Sequence, residues 1–246
     1  MTAVFFVLGL VFGSFFNVVG LRAPAKSLFA HSRSYCPHCC KDLHWYELIP
    51  LLSWLFLRGK CSGCRAHISL MYPAMELFSG AYFSFAFLYH GFTPPLIYSL
   101  LLGALTHIFI VSDITSMILP SSVLITFSLC YMLYFLIDPP LSYWSQVIGG
   151  GVGAGVTAGV ILLSRGGMGG GDMKLFGLLG FMMGVEKLFL IFLISSSLGA
   201  LTGGLLIITK VISGRQPVPF APFILAGACV TNFYGTPLIE WYLGHF

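Results

Sequence analysis

The chain has 246 residues, of which 57% are hydrophobic and 8% charged, and its formal net charge is +4. Soluble domains carry about 25% charged residues, so this composition excludes a soluble α/β enzyme and points to an all-α polytopic membrane protein. A small positive excess in such a chain reports on topology before it reports on any acidic partner.

A spanning helix needs about 20 apolar residues. The first apolar run, 2–21, has no basic region before it and ends at Arg22 without a small-residue cleavage site. It reads as a retained helix rather than a removed signal peptide. A polar loop, 22–67, follows. Further apolar runs occupy 68–89, 95–112, 118–137, 144–164, 175–185, 188–209 and 220–243, which predicts about eight transmembrane helices. The run 175–185 is short; it rises only about 16 Å, so it must tilt, re-enter or thin the bilayer. The expected organisation is a first helix (1–21), a cysteine-rich loop domain (22–67) and a membrane-embedded helical bundle (68–246).

Orientation follows the basic residues. The loop 22–67 holds seven of the twelve Lys and Arg: Arg22, Lys26, Arg33, Lys41, Arg58, Lys60 and Arg65. This places the loop in the cytoplasm and the N-terminus outside. With eight spans, Arg165, Lys174, Lys210 and Arg215 also fall inside and Lys187 alone outside.

The loop contains Cys36-Pro-His-Cys39-Cys40 and Cys61-Ser-Gly-Cys64. Two C-x2-C knuckles about 20 residues apart have the spacing of a tetrahedral four-thiolate zinc site. A reducing compartment favours metal over disulfide. The expected ligands are Cys36, Cys39, Cys61 and Cys64, with Cys40 an alternative to Cys39. His38 and His44 are spare donors beside a set that four cysteines already close. Cys130 and Cys229 lie in apolar runs and read as packing residues. A basic loop with knuckles also suits nucleic acid, but topology alone accounts for the charge, so no nucleic-acid partner is expected. The apolar stretch 48–57 is too short to span and is expected to lie against the membrane face.

Only eight acidic residues occur in the chain. Asp113 stands between two apolar runs, and Asp172 ends the tract Gly166-Gly-Met-Gly-Gly-Gly-Asp-Met-Lys174. A carboxylate at or inside hydrocarbon costs roughly 2.5–3.5 kcal/mol even on mild insertion scales, which marks it as functional by default. Both aspartates fall on one membrane face, where two carboxylates could share a proton and act as acid and base. The structural alternatives are that Asp113 caps the helix after it and that Asp172 pairs with Lys174. The glycine tract lacks the spacing and the preceding strand of a phosphate loop; its glycines suit close backbone approach to Asp172. Gly151, Gly155 and Gly159 recur every fourth residue and are expected to form a helix-packing stripe. His107 reads as a packed polar residue and Asn17 as a helix-contact residue.

Taken in order, these segments resemble the type IV prepilin peptidases. The resemblance runs through Phe12-Gly-Ser-Phe-Phe-Asn-Val18, Arg22-Ala-Pro24, the knuckles, Glu47-Leu-Ile-Pro-Leu-Leu-Ser53 and Tyr72-Pro-Ala-Met-Glu76. It continues through Asp113 with Ile118-Leu-Pro120, Gly169-Gly-Gly-Asp-Met-Lys174 as a G-x-G-D motif, and Pro219-Phe-Ala-Pro-Phe223. Three positions depart from the pattern: Glu47 stands where Asp is common, Ser121 where Asp is frequent, and Ala221 where glycine is usual.

The resemblance implies an intramembrane aspartic endopeptidase with Asp113 and Asp172 catalytic and Gly169, Gly171 and Lys174 supporting. Its substrates would be prepilins or pseudopilins, cut after a glycine that ends a short basic leader. Cleavage would fall at the cytoplasmic face of a bacterial inner membrane, serving pilus assembly, type II secretion or DNA uptake. It further implies N-methylation of the new terminus from S-adenosylmethionine, a structural zinc in the cysteine loop, and a candidate methylation-related role for Glu76. Its rivals are a proton- or cation-coupled transporter using the paired aspartates, a signal-peptide-peptidase-like protease and a non-catalytic scaffold. The aspartates' place at one face, without inverted repeats, argues against transport.

Overall fold

The computed structural model describes residues 1–28, 33–138, 142–164, 168–212, 216 and 218–244. Arg165 and Arg215, used above for orientation, and Gly166 and Gly167 of the glycine tract lie outside the described residues. The order of elements is α1 (Thr2–Arg22), a 3-10 turn (Trp45–Leu48), α2 (Leu52–Phe56), α3 (Met71–His90), α4 (Pro94–Ser116), α5 (Ser121–Ile137), α6 (Tyr143–Leu163), α7 (Gly170–Ile208) and α8 (Ala221–Leu243). The chain is an all-α polytopic membrane protein. By length and composition α1, α4, α6, α7 and α8 can each cross a bilayer, and α5 is a shorter apolar helix. The predicted span 68–89 appears as α3, which is more polar than its neighbours because it carries Glu76, Ser79 and Ser84.

The chain forms two compact units, Met1–Thr115 and Ser116–Phe246. In the first, α1 and α3 touch nearly backbone to backbone, since a Cβ on Gly13 would stand 3.1 Å from the Glu76 Cα. On α4's side of α1, a Cβ on Gly20 would come within 2.8 Å of the Ile108 carbonyl oxygen. A buried polar chain joins the same three helices. The Asn17 side-chain N–H donates to the Tyr72 carbonyl (3.3 Å), His107 Nε2 meets Asn17 Oδ1 (3.1 Å), and His107 Nδ1 meets Ser79 Oγ (2.6 Å). His107 is fully buried, with both ring nitrogens used, as expected of a packed polar residue.

In the second unit α7 is not straight. Gly184 has φ 77° and ψ 175°, a conformation that only glycine adopts cheaply. The rings of Phe176 and Phe192 lie 5.6 Å apart, whereas 16 residues of straight helix would separate them by about 24 Å. The chain therefore folds back at Gly184 into two arms, 170–183 and 185–208. This corrects the predicted short run 175–185. The first arm begins five residues earlier, inside the glycine tract, and rises about 21 Å. Glu186 and Lys187, expected between two runs, instead open the second arm.

The expected glycine stripe is also corrected. Nothing stands within 4 Å of a Cβ on Gly151, Gly155 or Gly159. The packing residues are Gly149 and Gly153, half a turn away, where a Cβ would strike the carbonyl oxygens of Gly180 and Phe176. Both registers carry glycine every fourth residue, and only the partner helix distinguishes them. α8 packs on the second arm, where Gly227 lies close to the Ile191 backbone. Ala221, where the family pattern has glycine, is the fully buried first residue of α8.

Candidate active site and metal centre

Asp113 lies near the C-terminal end of α4 and is 6% exposed. It is part of that helix. The cap position of α5 is Pro120, with no side-chain cap, so the capping alternative falls away. Asp172 is 8% exposed and occupies the first turn of α7, rather than the loop expected after the fifth apolar run. Its Oδ2 accepts the Gly169 N–H (3.2 Å), the carboxylate half of a capping box, and its own N–H donates to the Gly169 carbonyl (3.1 Å) as a backbone turn bond.

This geometry gives the two motif glycines separate reasons. A Cβ on Gly169 would crowd Asp172 Oδ2 at 3.3 Å, and one on Gly171 would press on Leu119 Cβ at 3.1 Å. The first glycine lets the carboxylate fold over its own cap, and the second lets the helix start close to Leu119. Lys174 Nζ donates to Ser121 Oγ (2.9 Å), the position where the family pattern often has Asp. Asp113 belongs to the first unit and Asp172 to the second.

The four predicted ligands converge. The sulfurs of Cys36, Cys39, Cys61 and Cys64 all lie within 4.8 Å of one another. Cys36 Sγ is 3.8 Å from Cys64 Sγ, and Cys39 Sγ is 4.0 Å from Cys61 Sγ. A tetrahedral ion with bonds of about 2.3 Å to sulfur needs edges of about 3.8 Å, so the cluster fits zinc.

The two knuckles share one design. Cys36 N–H donates to the Lys41 carbonyl (3.0 Å) and Cys61 N–H to the Ala66 carbonyl (2.9 Å); Cys40 N–H returns to Cys36 O (2.9 Å) and Arg65 N–H to Cys61 O (3.0 Å). Cys40 and Arg65 occupy the same position with φ near 55° and 61°. Cys40 is thus the left-handed residue that closes its knuckle, which decides the choice in favour of Cys39. His38 and His44 are not part of the cluster.

Backbone N–H groups of Cys64 and Gly63 lower the Cys61 thiol to about 7. The Lys41 N–H also pulls Cys39 down, but desolvation and the three neighbouring thiols outweigh it and raise Cys39 to about 11. Thiolates this close repel one another, so a bound cation is what lets all four ionise.

Glu47 ties the knuckles together without metal. Its Oε1 accepts the Ser62 hydroxyl and lies 3.5 Å from Lys41 Nζ, and its Oε2 accepts the His44 N–H (2.8 Å). Lys41 follows the first knuckle and Ser62 lies inside the second. The Ser62 hydroxyl and the His44 N–H hold the Glu47 carboxyl below its ordinary value.

Residues 7–90 match the bacterial peptidase A24 N-terminal domain, and residues 99–204 match the type IV leader peptidase family. A prepilin leader peptidase/N-methyltransferase of Bacillus subtilis (strain 168) is 38% identical over 243 residues, covering 99% of this chain and 98% of its own length. The chain belongs to the type IV leader peptidase family. Relatives of the same name from Aeromonas hydrophila and Burkholderia pseudomallei (strain K96243) are 33% and 32% identical, covering 98% and 94% of this chain and 93% and 84% of their own. No solved structure matches the chain.

Within this leader peptidase the three departures from the family pattern are accommodated locally. Glu47 makes the latch, Ser121 receives Lys174, and Ala221 is buried at the start of α8. Sequence reasoning left one residue without a structural partner. Glu76, singled out as a candidate for methylation, accepts the Leu51 N–H at Oε2 (2.9 Å) and a hydrogen bond from Ser14. Leu51 has φ 59° and ψ −50°, strained for a non-glycine residue. No local signal in the stretch 48–57 announces that strain or its partner 25 residues away.

Proposed function

We propose that this leader peptidase is an intramembrane aspartic endopeptidase acting on prepilins or pseudopilins, with Asp113 and Asp172 as its catalytic pair. The observation that carries the reading is two buried carboxylates in candidate membrane-spanning helices of a chain from this family. One carboxylate, ionised, takes a proton from the attacking water. The other, protonated, donates to the scissile carbonyl oxygen and then to the departing amine. The pair titrates as a unit, so neither residue has a fixed role. Gly169, Gly171 and Lys174 support Asp172. The leader is basic and ends in glycine, and the cut lies at the cytoplasmic face of a bacterial inner membrane crossed about eight times, α7 contributing both its arms. The organisation is a first helix (1–21), a loop domain (22–67) and a peptidase bundle (68–246).

The second activity is methylation of the new N-terminus, with S-adenosylmethionine as donor. Glu76 is its candidate residue, and zinc on Cys36, Cys39, Cys61 and Cys64 fixes the loop's shape. Family membership argues against the transporter, the signal-peptide-peptidase-like protease and the scaffold.

The test is mass spectrometry of a prepilin-type substrate incubated in lipid with the protein and S-adenosylmethionine. Wild type is expected to cut after the leader glycine and add a methyl mass to the mature fragment. Asp113→Asn and Asp172→Asn are each expected to lose cleavage by about 10²–10⁴-fold while remaining folded. Undiminished cleavage in either variant would remove that residue from the mechanism.

A further inference from the structure

The geometry points to α2 as a membrane-interface element of the loop domain. Its apolar edge lies at the headgroup–acyl boundary of an anionic bilayer, with Arg58 and Lys60 on lipid phosphates. The stretch 48–57 was expected to lie against the membrane because it is apolar; the structure adds an anchor, an orientation and a lipid chemistry.

The helix is one-sided. Leu55 and Phe56 are 61% and 81% exposed, and Leu52 is half exposed. Trp54 faces the domain instead, with its indole N–H donating to the Ile68 carbonyl (3.2 Å) and its ring against Gly59. The exposed edge is therefore not a side of the domain's own core.

The anchor fixes its level. Leu51, immediately before α2, is held by Glu76, five residues inside α3 and so about 7.5 Å along that helix from its start. Ser14 of the candidate span α1 shares the same carboxylate, and the adjacent Phe15 is exposed on α1. Leu51, the residue before α2, is thus tied beside helices whose outward faces are already apolar.

The chain then turns through Arg58 and Gly59, both at positive φ, and Ile68 N–H returns to the Gly59 carbonyl (2.8 Å). That turn leaves Arg58 and Lys60 exposed beside the apolar edge. Apolar side chains flanked by cations with long stems suit an interface rich in anionic lipid.

The test uses the full chain in nanodiscs of phosphatidylcholine with or without phosphatidylglycerol, carrying the photocrosslinker p-benzoylphenylalanine in place of Phe56. A parallel sample carries the probe in place of the outward-facing Leu133 of α5. The expected result is a phospholipid adduct at position 56, several-fold more abundant with phosphatidylglycerol than phosphatidylcholine, with the preference lost in Arg58→Gln/Lys60→Gln. No lipid adduct at position 56 beside a clear one at 133 would overturn the proposal. So would equal yields from the two lipids with Arg58 and Lys60 intact. Because the readout is an adduct, it is independent of whether any prepilin is cleaved.

Discussion

Both units bring helices to backbone distance at glycines, and the first adds a buried hydrogen-bonded chain. In Met1–Thr115 Gly9 and Gly13 set α1 against α3 and Gly20 sets it against α4, while Asn17, Ser79 and His107 link the same helices through hydrogen bonds and Glu76 pins the loop. In Ser116–Phe246 Gly149, Gly153 and Gly180 bring α6 and the first arm of α7 to backbone distance. A bilayer offers helices little hydrophobic drive to associate, so buried hydrogen bonds and close packing of small residues are the means available. The first unit combines the two, and the second shows the close packing. Addressed hydrogen bonds fix which side chain meets which, whereas glycine contacts fix how near two axes run.

The largest expected break is steric. Gly149→Leu with Gly153→Leu places two side chains onto carbonyl oxygens and should cost about 3 kcal/mol or more, as severe overpacking does. Gly151→Leu with Gly155→Leu should stay within about 0.5 kcal/mol per site. Thermal unfolding in detergent compares them, and equal losses would restore the stripe read from sequence.

On the polar side, Asn17→Leu strands His107 Nε2 and removes the cross-helix bond to the Tyr72 carbonyl. The expected loss is about 1–3 kcal/mol, measured by denaturant unfolding. A neutral result would mean that the hydrogen-bonded chain is not what joins α1 to α4.

Gly184→Ala puts a Cβ at φ 77° and ψ 175°, a region essentially restricted to glycine, and should cost about 1–3 kcal/mol. It should also weaken the fold-back, seen as increased distance between spin labels at 176 and 192.

The smallest effect belongs to Glu47. Its folded value is depressed, so its contribution is complete above the ordinary 4.5 and is lost as pH falls through the lower folded value. The difference in thermal midpoint between wild type and Glu47→Gln should therefore be constant near neutral pH and close as the medium is acidified below 4.5. A gap that widens in acid would reverse the sign of the latch.

The sequence alone determined the membrane class, because so few charges and so many apolar runs have no soluble solution. It also determined the four-cysteine centre, since paired C-x2-C turns put four sulfurs within reach of one ion, and it singled out Asp113 and Asp172, conspicuous in hydrocarbon, whose proposed roles the cleavage assay tests. Tertiary structure decided what a one-dimensional pattern leaves degenerate. Gly149/Gly153 and Gly151/Gly155 are equal four-residue repeats until a partner lies on one of them. Nothing near Gly184 distinguishes a reversal from a loop until Phe176 meets Phe192. Cys39 and Cys40 compete as ligands until the left-handed turn assigns one to the knuckle's close. Glu76 and Leu51 find each other only when α3 stands beside the loop. Composition and spacing act along the chain, whereas these choices depend on distances across it, and those exist only after folding.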